Sequence, residues 1–255
     1  MITTNLLTKA IWKVLHHDRV DSKQNPLSRA ECLGNLVQRL FESEYAKYIP
    51  GLKAKDSHDY SLSHADKLDK EFTQKRVACK KSFIEHLSGF MPSEAKDMSL
   101  IELGCADCAN LLLLLKNGFK NLSGVEINGK FIEAGRIYDN DAISRMDVKN
   151  VSLEEYLSKP EKKYDIVLTC AVLQHVNPES FEVFNKIRDI CEKYLVTVEA
   201  ESQCNMIHYP RNYQRLMEKR GFKQLKSSLI TKESFGENFE GTVGYMMRLF
   251  KRSDE

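Results

Sequence analysis

The sequence predicts an α/β protein: a seven-stranded, mostly parallel sheet with an antiparallel C-terminal edge, preceded by a helical cap. Three observations predict it. Up to about residue 97, apolar residues recur only at helical spacing. After Met98, short apolar runs alternate with helical patterns. The last two apolar runs, residues 224–230 and 243–250, follow one another with no long helical pattern between them. Alternation of this kind builds βαβ units and a parallel sheet covered on both faces. Neighbouring strands that lack a crossover pair antiparallel.

The helical part comes first. Leu6, Leu7, Ala10, Ile11, Val14 and Leu15 recur at i, i+3, i+4 spacing, as do Leu33, Leu36, Val37, Leu40, Phe41 and Tyr45. Ser28 is a plausible N-cap with Glu31 at the capping-box position, and Pro50-Gly51 closes that helix. Residues 53–63 turn polar and read as a loop. A further helix runs from about residue 66 to 87, with Phe72, Arg76, Cys79, Phe83 and Leu87 as one stripe; Ser88-Gly89 and Pro92 end it. This divides the chain into a helical cap or lid, residues 1–97, and an α/β domain, residues 98–255.

The domain then reads strand by strand. Residues 99–103 precede a helix over 109–117, and 122–127 precede one over 129–138. A weak strand over 142–146 is followed by the 153–157 pattern. Residues 164–173 form the strongest strand and lead into a helix over 179–191. Residues 194–199 lead into a helix over 212–220, and the two closing strands follow. The Leu111–Leu115 run is read as a helix packed on the sheet.

Composition narrows the function. With 38 Lys and Arg against 36 Asp and Glu, the net charge is +2, so no protein-wide basic field attracts a phosphate backbone. No apolar run approaches the ~20 residues of a membrane span. The opening Met1–Lys9 stretch lacks the long apolar core of a secretory signal. Seven cysteines, an odd count, suit reduced thiols in the cytoplasm better than a disulfide framework.

The densest chemical signal lies where the first strand ends. Glu102-Leu103 gives way to a tight turn holding Gly104, Ala106 and Asn110, and a helix begins at once. Small residues there let main-chain N–H groups approach a ligand, aided by the positive end of the helix. Glu126 follows 24 positions after Glu102, at the end of the next strand, where a carboxylate can accept both hydroxyls of a ribose.

On these residues the sequence resembles the class I S-adenosylmethionine-dependent methyltransferases, over about residues 98–252. Glu102-Leu-Gly104-Cys105-Ala106-Asp-Cys108 matches the family's first motif, and Glu126, followed by Ile127, its ribose-binding acid. Asp147-Val148 is the match to its adenine-side motif after strand three, and Tyr164 to Leu168 to its fourth. Cys170, Leu173, Gln174, His175 and Val176 come next, a stretch that faces the methyl donor in the family. The resemblance implies a Rossmann-like sheet, S-adenosylmethionine as cofactor, and Arg76 upstream as a partner for the donor's carboxylate, although a solvated arginine is the plainer reading. The chain departs from the pattern at the second and third glycines of the turn, which are Ala106 and Cys108.

The same residues admit other readings. A nicotinamide-binding domain uses the same glycine physics, but an acid directly before the turn is a methyltransferase habit. Cys105-Ala-Asp-Cys108 has the form of a redox pair, yet no aromatic precedes it, and two small side chains fitting a crowded turn explain it. Zinc lacks a second pair of ligands, so no metal is expected. His175, just past strand four, can take a proton from an attacking hydroxyl or amine, and reads equally as a loop histidine. His208 holds a similar rim position after strand five. Gln174, Glu199 and, in the polar loop, Tyr60 are candidate substrate contacts.

The acceptor is argued from what is missing. The stretch Thr169-Cys-Ala-Val172 stands where amine-methylating enzymes acting on nucleic-acid bases carry a polar-Pro-Pro-aromatic motif. No basic, aromatic-rich stripe is present either. The expected acceptor is therefore a small molecule, of natural-product or sugar type, methylated on O or N, with nucleic acid and membrane disfavoured and a homodimer left open. Two alternatives remain: non-methyl use of the cofactor, such as aminopropyl cyclisation, and a non-catalytic binding module.

Overall fold

The computed structural model describes residues 38–42, 62, 68–201, 208–231 and 244–253. Seven strands, β1 (Ser99–Leu103), β2 (Asn121–Glu126), β3 (Asp147–Asn150), β4 (Tyr164–Cys170), β5 (Cys191–Glu199), β6 (Phe222–Leu229) and β7 (Met246–Arg252), form one sheet. Their order is β3-β2-β1-β4-β5-β7-β6. The first five pair in parallel, and β7 enters antiparallel to both β5 and β6. The mixed sheet predicted from the sequence is thus the one found. The strand order reverses direction at β1 and β4, and open α/β sheets take ligands at the carboxyl ends of strands beside such a point.

The helices are α1 (Lys70–Cys79), α2 (Lys81–Phe90), α3 (Ala109–Lys116), α4 (Gly129–Ile143), α5 (Leu153–Ser158), α6 (Glu182–Ile190) and α7 (Tyr213–Glu218). Period-two alternation on the strands sends neighbouring residues to opposite faces. Leu100, Ile166, Leu168, Val196 and Val198 pack on one side with Phe83, Ile84 and Leu87 of α2 and Leu111, Leu112 and Leu114 of α3. Ile101, Leu103, Val167, Leu195 and Phe250 pack on the other with Phe184 and Ile187 of α6 and Leu216 of α7. The leucine run of α3 is buried nearly all round because α2 and α4 flank it as the sheet lies beneath it.

Three expectations shift. The apolar stretch at 142–146 is not a strand. Ala142 and Ile143 finish α4, which kinks at Asp139, whose carboxylate accepts from Ala142 N at 3.0 Å and starts a new turn. The real strand, β3, begins at Asp147 and is half-exposed along its length, so it carries no apolar signature. The single helix expected over 66–87 is two, divided at Lys80. Strand β4 stops at Cys170 because Ala171 takes φ +60. Of the expected N-terminal helices, residues 38–41 are helical; the rest of residues 1–67, apart from Glu42 and Leu62, lies outside the described residues.

Candidate active site

The carboxyl ends of β1, β2, β4 and β5 converge on one edge. After β1, Gly104 bends the chain at φ +75, and both Gly104 N and Cys105 N donate to Val125 O, at 2.8 and 2.9 Å. A Cβ on Gly104 would stand 2.2 Å from Cγ2 of Val172, so this position demands glycine. Ala106 and Cys108 also hold positive φ, +47 and +60. The turn therefore keeps the left-handed geometry that glycines serve in the family pattern, at a cost of roughly 1–2 kcal/mol per non-glycine residue.

Glu126 closes the turn from β2. Its carboxylate accepts from Ala106 N at 2.9 Å and Asn128 N at 2.8 Å and is 8% exposed. Burial raises its pKa, and those main-chain donors oppose the rise. Ile127, half-buried, follows it. Asn150 fixes this main chain, its Nδ2 donating to the carbonyls of Glu126 and Ile127 at 2.9 Å each.

Beneath the turn, Glu102 accepts from Asn110 Nδ2 at 2.6 Å, and Asn110 Oδ1 accepts from Lys80 Nζ at 2.9 Å. Burial pushes the Glu102 carboxyl up to about 7. Arg76 Nε lies 3.3 Å from Asp107 Oδ1, with its guanidinium 5.5 Å from the centre of the Phe72 ring. Oε2 of Glu102 and Oδ2 of Asp107 are buried with no hydrogen-bond partner. Cys105 and Cys108 are free thiols with sulfurs 3.9 Å apart, both buried. The hydrogen bond with the Cys108 thiol, and then burial, raise the Cys105 pKa, opposing thiolate chemistry.

These groups fit S-adenosylmethionine. Its ribose diol needs acceptors, and the Glu126 carboxylate has lone pairs to spare beyond two main-chain donors. Its sulfonium and ammonium cations suit the partnerless oxygens of Glu102 and Asp107. Its carboxylate suits Arg76 and Lys80.

Asp147 requires a correction. It opens β3 rather than ending it, pairs in register with Ser123, and binds Lys162 and Lys149 at 3.3 and 3.6 Å. It therefore sits at the strand end away from the turn. Val148 packs on the core beside Gly124. The residue level with Glu126 is Asn150. No apolar pattern marks it, because the spacing predicts β3 several residues earlier.

The turn after β4 stands at the same edge of the sheet. Glu199, fully buried, accepts from Val172 N at 3.0 Å and Gln174 N at 3.3 Å; burial pushes its carboxyl up to about 7. Gln174 accepts from Ala200 N at 2.8 Å and donates to the Tyr245 hydroxyl at 3.0 Å. Both were expected to touch substrate. Instead each is buried and engaged in holding the turn together. Cys170, 8% exposed, ends β4, and burial pushes its thiol up to about 11.

The two candidate bases are brought together. The rings of His175 and His208 lie 4.6 Å apart, tilted by 38°, and His175 Nε2 is 3.3 Å from Gln174 Nε2. Burial, then the nearby His175, lower the His208 pKa to about 4, so its ring is neutral at physiological pH. Tyr60 lies outside the described residues.

Residues 38–42 dock beside this pair. Phe41 meets the Tyr209 ring at 5.6 Å, Glu42 binds Arg215 at 2.7 Å and accepts from Asn212 N at 2.9 Å, and Gln38 donates to Glu201 O at 3.0 Å. None of these pairings was readable from spacing, since more than 160 positions separate the partners.

Comparisons with known proteins agree with this geometry. Residues 101–193 match a family model described as a methyltransferase domain. A search of curated proteins returns no match. Among solved structures, the chain is similar to DhpI in complex with SAH (TM-score 0.57, 12% identity, covering 78% of this chain and 97% of that one). It is also similar to the glycopeptide N-methyltransferase MtfA with S-adenosylmethionine (0.53, 9%, 68% and 94%) and to the [4+2]-cyclase SpnF (0.54, 11%, 69% and 81%). At such identities the likeness is one of fold. Among the described residues, no helix is long and apolar enough to cross a membrane.

Proposed function

We infer, from the premise that this chain carries a class I S-adenosylmethionine-dependent methyltransferase domain, that it methylates an oxygen or nitrogen of a small-molecule acceptor of natural-product or sugar type. The enzyme's cofactor is S-adenosylmethionine, which supplies a methyl group already activated on a sulfonium. The observation that carries the acceptor reading is the His175–His208 pair at the carboxyl edge of the sheet, with residues 38–42 docked beside it.

The chain's own residues have separable tasks. Glu126 accepts from the ribose hydroxyls, and the Gly104 turn lets main-chain N–H groups come close. Glu102 and Asp107 present buried acceptor oxygens to the cationic end, and Arg76 and Lys80 face its carboxylate. His208, neutral at pH 7, takes the proton that the acceptor must lose as it attacks, and His175 orients it. In-line displacement at an activated methyl needs alignment and water exclusion more than covalent help.

Residues 1–97 serve as the cap over the acceptor and residues 98–255 as the cofactor domain; the contacts of Gln38, Phe41 and Glu42 support this division. A near-neutral net charge of +2 supports a small acceptor over nucleic acid. The five cysteines among the described residues are free thiols, which supports a reducing, cytoplasmic setting.

The test has two arms. Calorimetry with S-adenosylmethionine should give a dissociation constant that rises roughly 10- to 100-fold in Glu126→Ala, the loss of two hydrogen bonds to a charged group. Incubation with pooled small hydroxyl and amine acceptors should release S-adenosylhomocysteine. Methylthioadenosine in its place would overturn the methyl-transfer reading, and release with RNA but not small acceptors would overturn the acceptor class.

A further inference from the structure

Against Tyr209, the residue after His208, lies a guanidinium for which methyl transfer has no direct use. Arg211 is fully buried. Its Nε donates to Phe41 O at 3.0 Å, Nη1 to Leu173 O at 3.0 Å and Nη2 to Val176 O at 2.6 Å. None of these partners carries a charge. The guanidinium carbon stands 5.0 Å from the centre of the Phe184 ring and 5.2 Å from that of Tyr209.

Burying a cation against neutral carbonyls is expensive, and an apolar side chain of similar volume would often serve stability as well or better. What an apolar side chain cannot do is hold three carbonyls in one plane. The planar fork of arginine presents donors in fixed directions, whereas lysine is a point charge.

The carbonyls it holds are particular ones. Leu173 and Val176 bracket Gln174-His175, and the turn between them is closed by Val176 N donating to Leu173 O at 3.1 Å. Tyr209, whose ring stands over the guanidinium, directly follows His208, and its N–H donates to Gln174 O at 2.8 Å. One side chain therefore bears on the turn that carries His175 and on the stretch that carries His208. Its third arm reaches the docked N-terminal segment at Phe41.

We propose that Arg211 is the positioning residue of the His175–His208 pair, fixing the two rings at their observed spacing and tying that spacing to the docking of residues 38–42. The proposal rests on the reading of this pair as the proton-accepting edge of the site, but its test does not need the acceptor.

The experiment follows the histidine ring resonances of the full chain by NMR, assigned with His175→Gln and His208→Gln, while pH is varied from 3.5 to 8. Arg211→Lys keeps the charge and loses the fork, whereas Arg211→Met loses both. In both variants the His208 midpoint should rise by at least one pH unit and the ring-to-ring NOE should disappear. The dissociation constant for S-adenosylmethionine should stay within threefold, because the Gly104–Glu126 half does not touch Arg211. An unchanged His208 midpoint and NOE in Arg211→Lys would overturn the proposal and leave a charge effect or simple core filling. Should either variant fail to fold, the wild-type chain decides. Its Arg211 Nε–H resonance should be protected from exchange and shift with the histidine titration, and a resonance indifferent to that titration overturns the proposal. Absence of any S-adenosylmethionine binding by the wild type would sink the methyltransferase reading while leaving these ring measurements interpretable.

Discussion

The ring of His208 rests 4.6 Å from that of His175, which joins the turn after β4 to the stretch after β5 at the carboxyl edge of the sheet. Burial first, and the facing imidazole second, disfavour a proton on His208 and leave its ring neutral at pH 7.

Burial and then the facing His175 lower the His208 pKa from 6.5 to about 4, so its ring resonance should titrate there. Catalysis that uses the free base should hold level from about pH 8 downward and fall as pH drops through that midpoint. His208→Gln should lose roughly 10²–10⁴-fold in S-adenosylhomocysteine release, the ordinary worth of a positioned base. The stability effect has a definite sign. Between pH 6.5 and about 4 the unfolded chain binds a proton at this histidine that the folded chain does not, so its contribution is lost as pH falls through that window. Glu102 and Glu199, raised from 4.5 to about 7, act in the opposite sense, losing stability as pH rises from 4.5 through 7. Comparing melting curves of wild type and His208→Gln across pH isolates the histidine. Identical pH dependence of the two would contradict the assignment.

How much of this was legible in the sequence follows from which interactions are local. Glu102, Gly104 and Glu126 lie on or next to strand ends whose apolar runs are strong, so the strands and the candidate site are legible together. Asp147 was misplaced because β3 is a half-exposed edge strand, and the apolar run before it belongs to the last turn of α4. Gln174 and Glu199 stand out in sequence only by their place at or after strand ends, and their burial and bonding partners depend on pairings far along the chain. Arg211 has no sequence signature at all, since its partners Phe41, Leu173 and Val176 are met only on folding.

The turn at Ala106 stores strain that a glycine would relieve. Left-handed backbone costs an L-residue about 1–2 kcal/mol, whereas a new glycine costs ~0.4–1 kcal/mol through the unfolded chain. Relief wins at Ala106, whose small side chain is only half-buried. Ala106→Gly should gain about 0.5–1 kcal/mol and melt roughly 1–4 °C higher. At Cys108, with equal strain but no exposure, the lost packing offsets the relief, so Cys108→Gly should melt no higher than wild type. A higher melting point for Cys108→Gly than for Ala106→Gly would contradict this ordering.

The same turn predicts the behaviour of its thiols. Cys105 and Cys108 are 3% and 0% exposed, and the raised pKa of Cys105 withholds the thiolate that reacts. Cys79 is partly exposed on α1. Iodoacetamide at pH 8 should label Cys79 in the native chain while leaving Cys105 and Cys108 intact until the protein is denatured, as read by peptide mass spectrometry. Fast labelling of Cys105 would revive a redox role for the pair.

Gly135 on α4 lies against the main chain of the cofactor turn. A Cβ there would meet Asp107 O at 2.4 Å and Ile143 Cδ1 at 2.9 Å. In an exposed helix Gly→Ala gains up to about 1 kcal/mol. Here the carbonyl is main chain and has nowhere to retreat without moving the turn, so the steric term of ~1–3 kcal/mol prevails. Gly135→Ala should therefore melt lower than wild type and bind S-adenosylmethionine severalfold more weakly, since Asp107 stands between Gly104 and α3. Gly89, on α2, has nothing within 4 Å of its notional Cβ, so Gly89→Ala should melt slightly higher with unchanged affinity. A matched gain in both variants would show that α4 does not press on the turn.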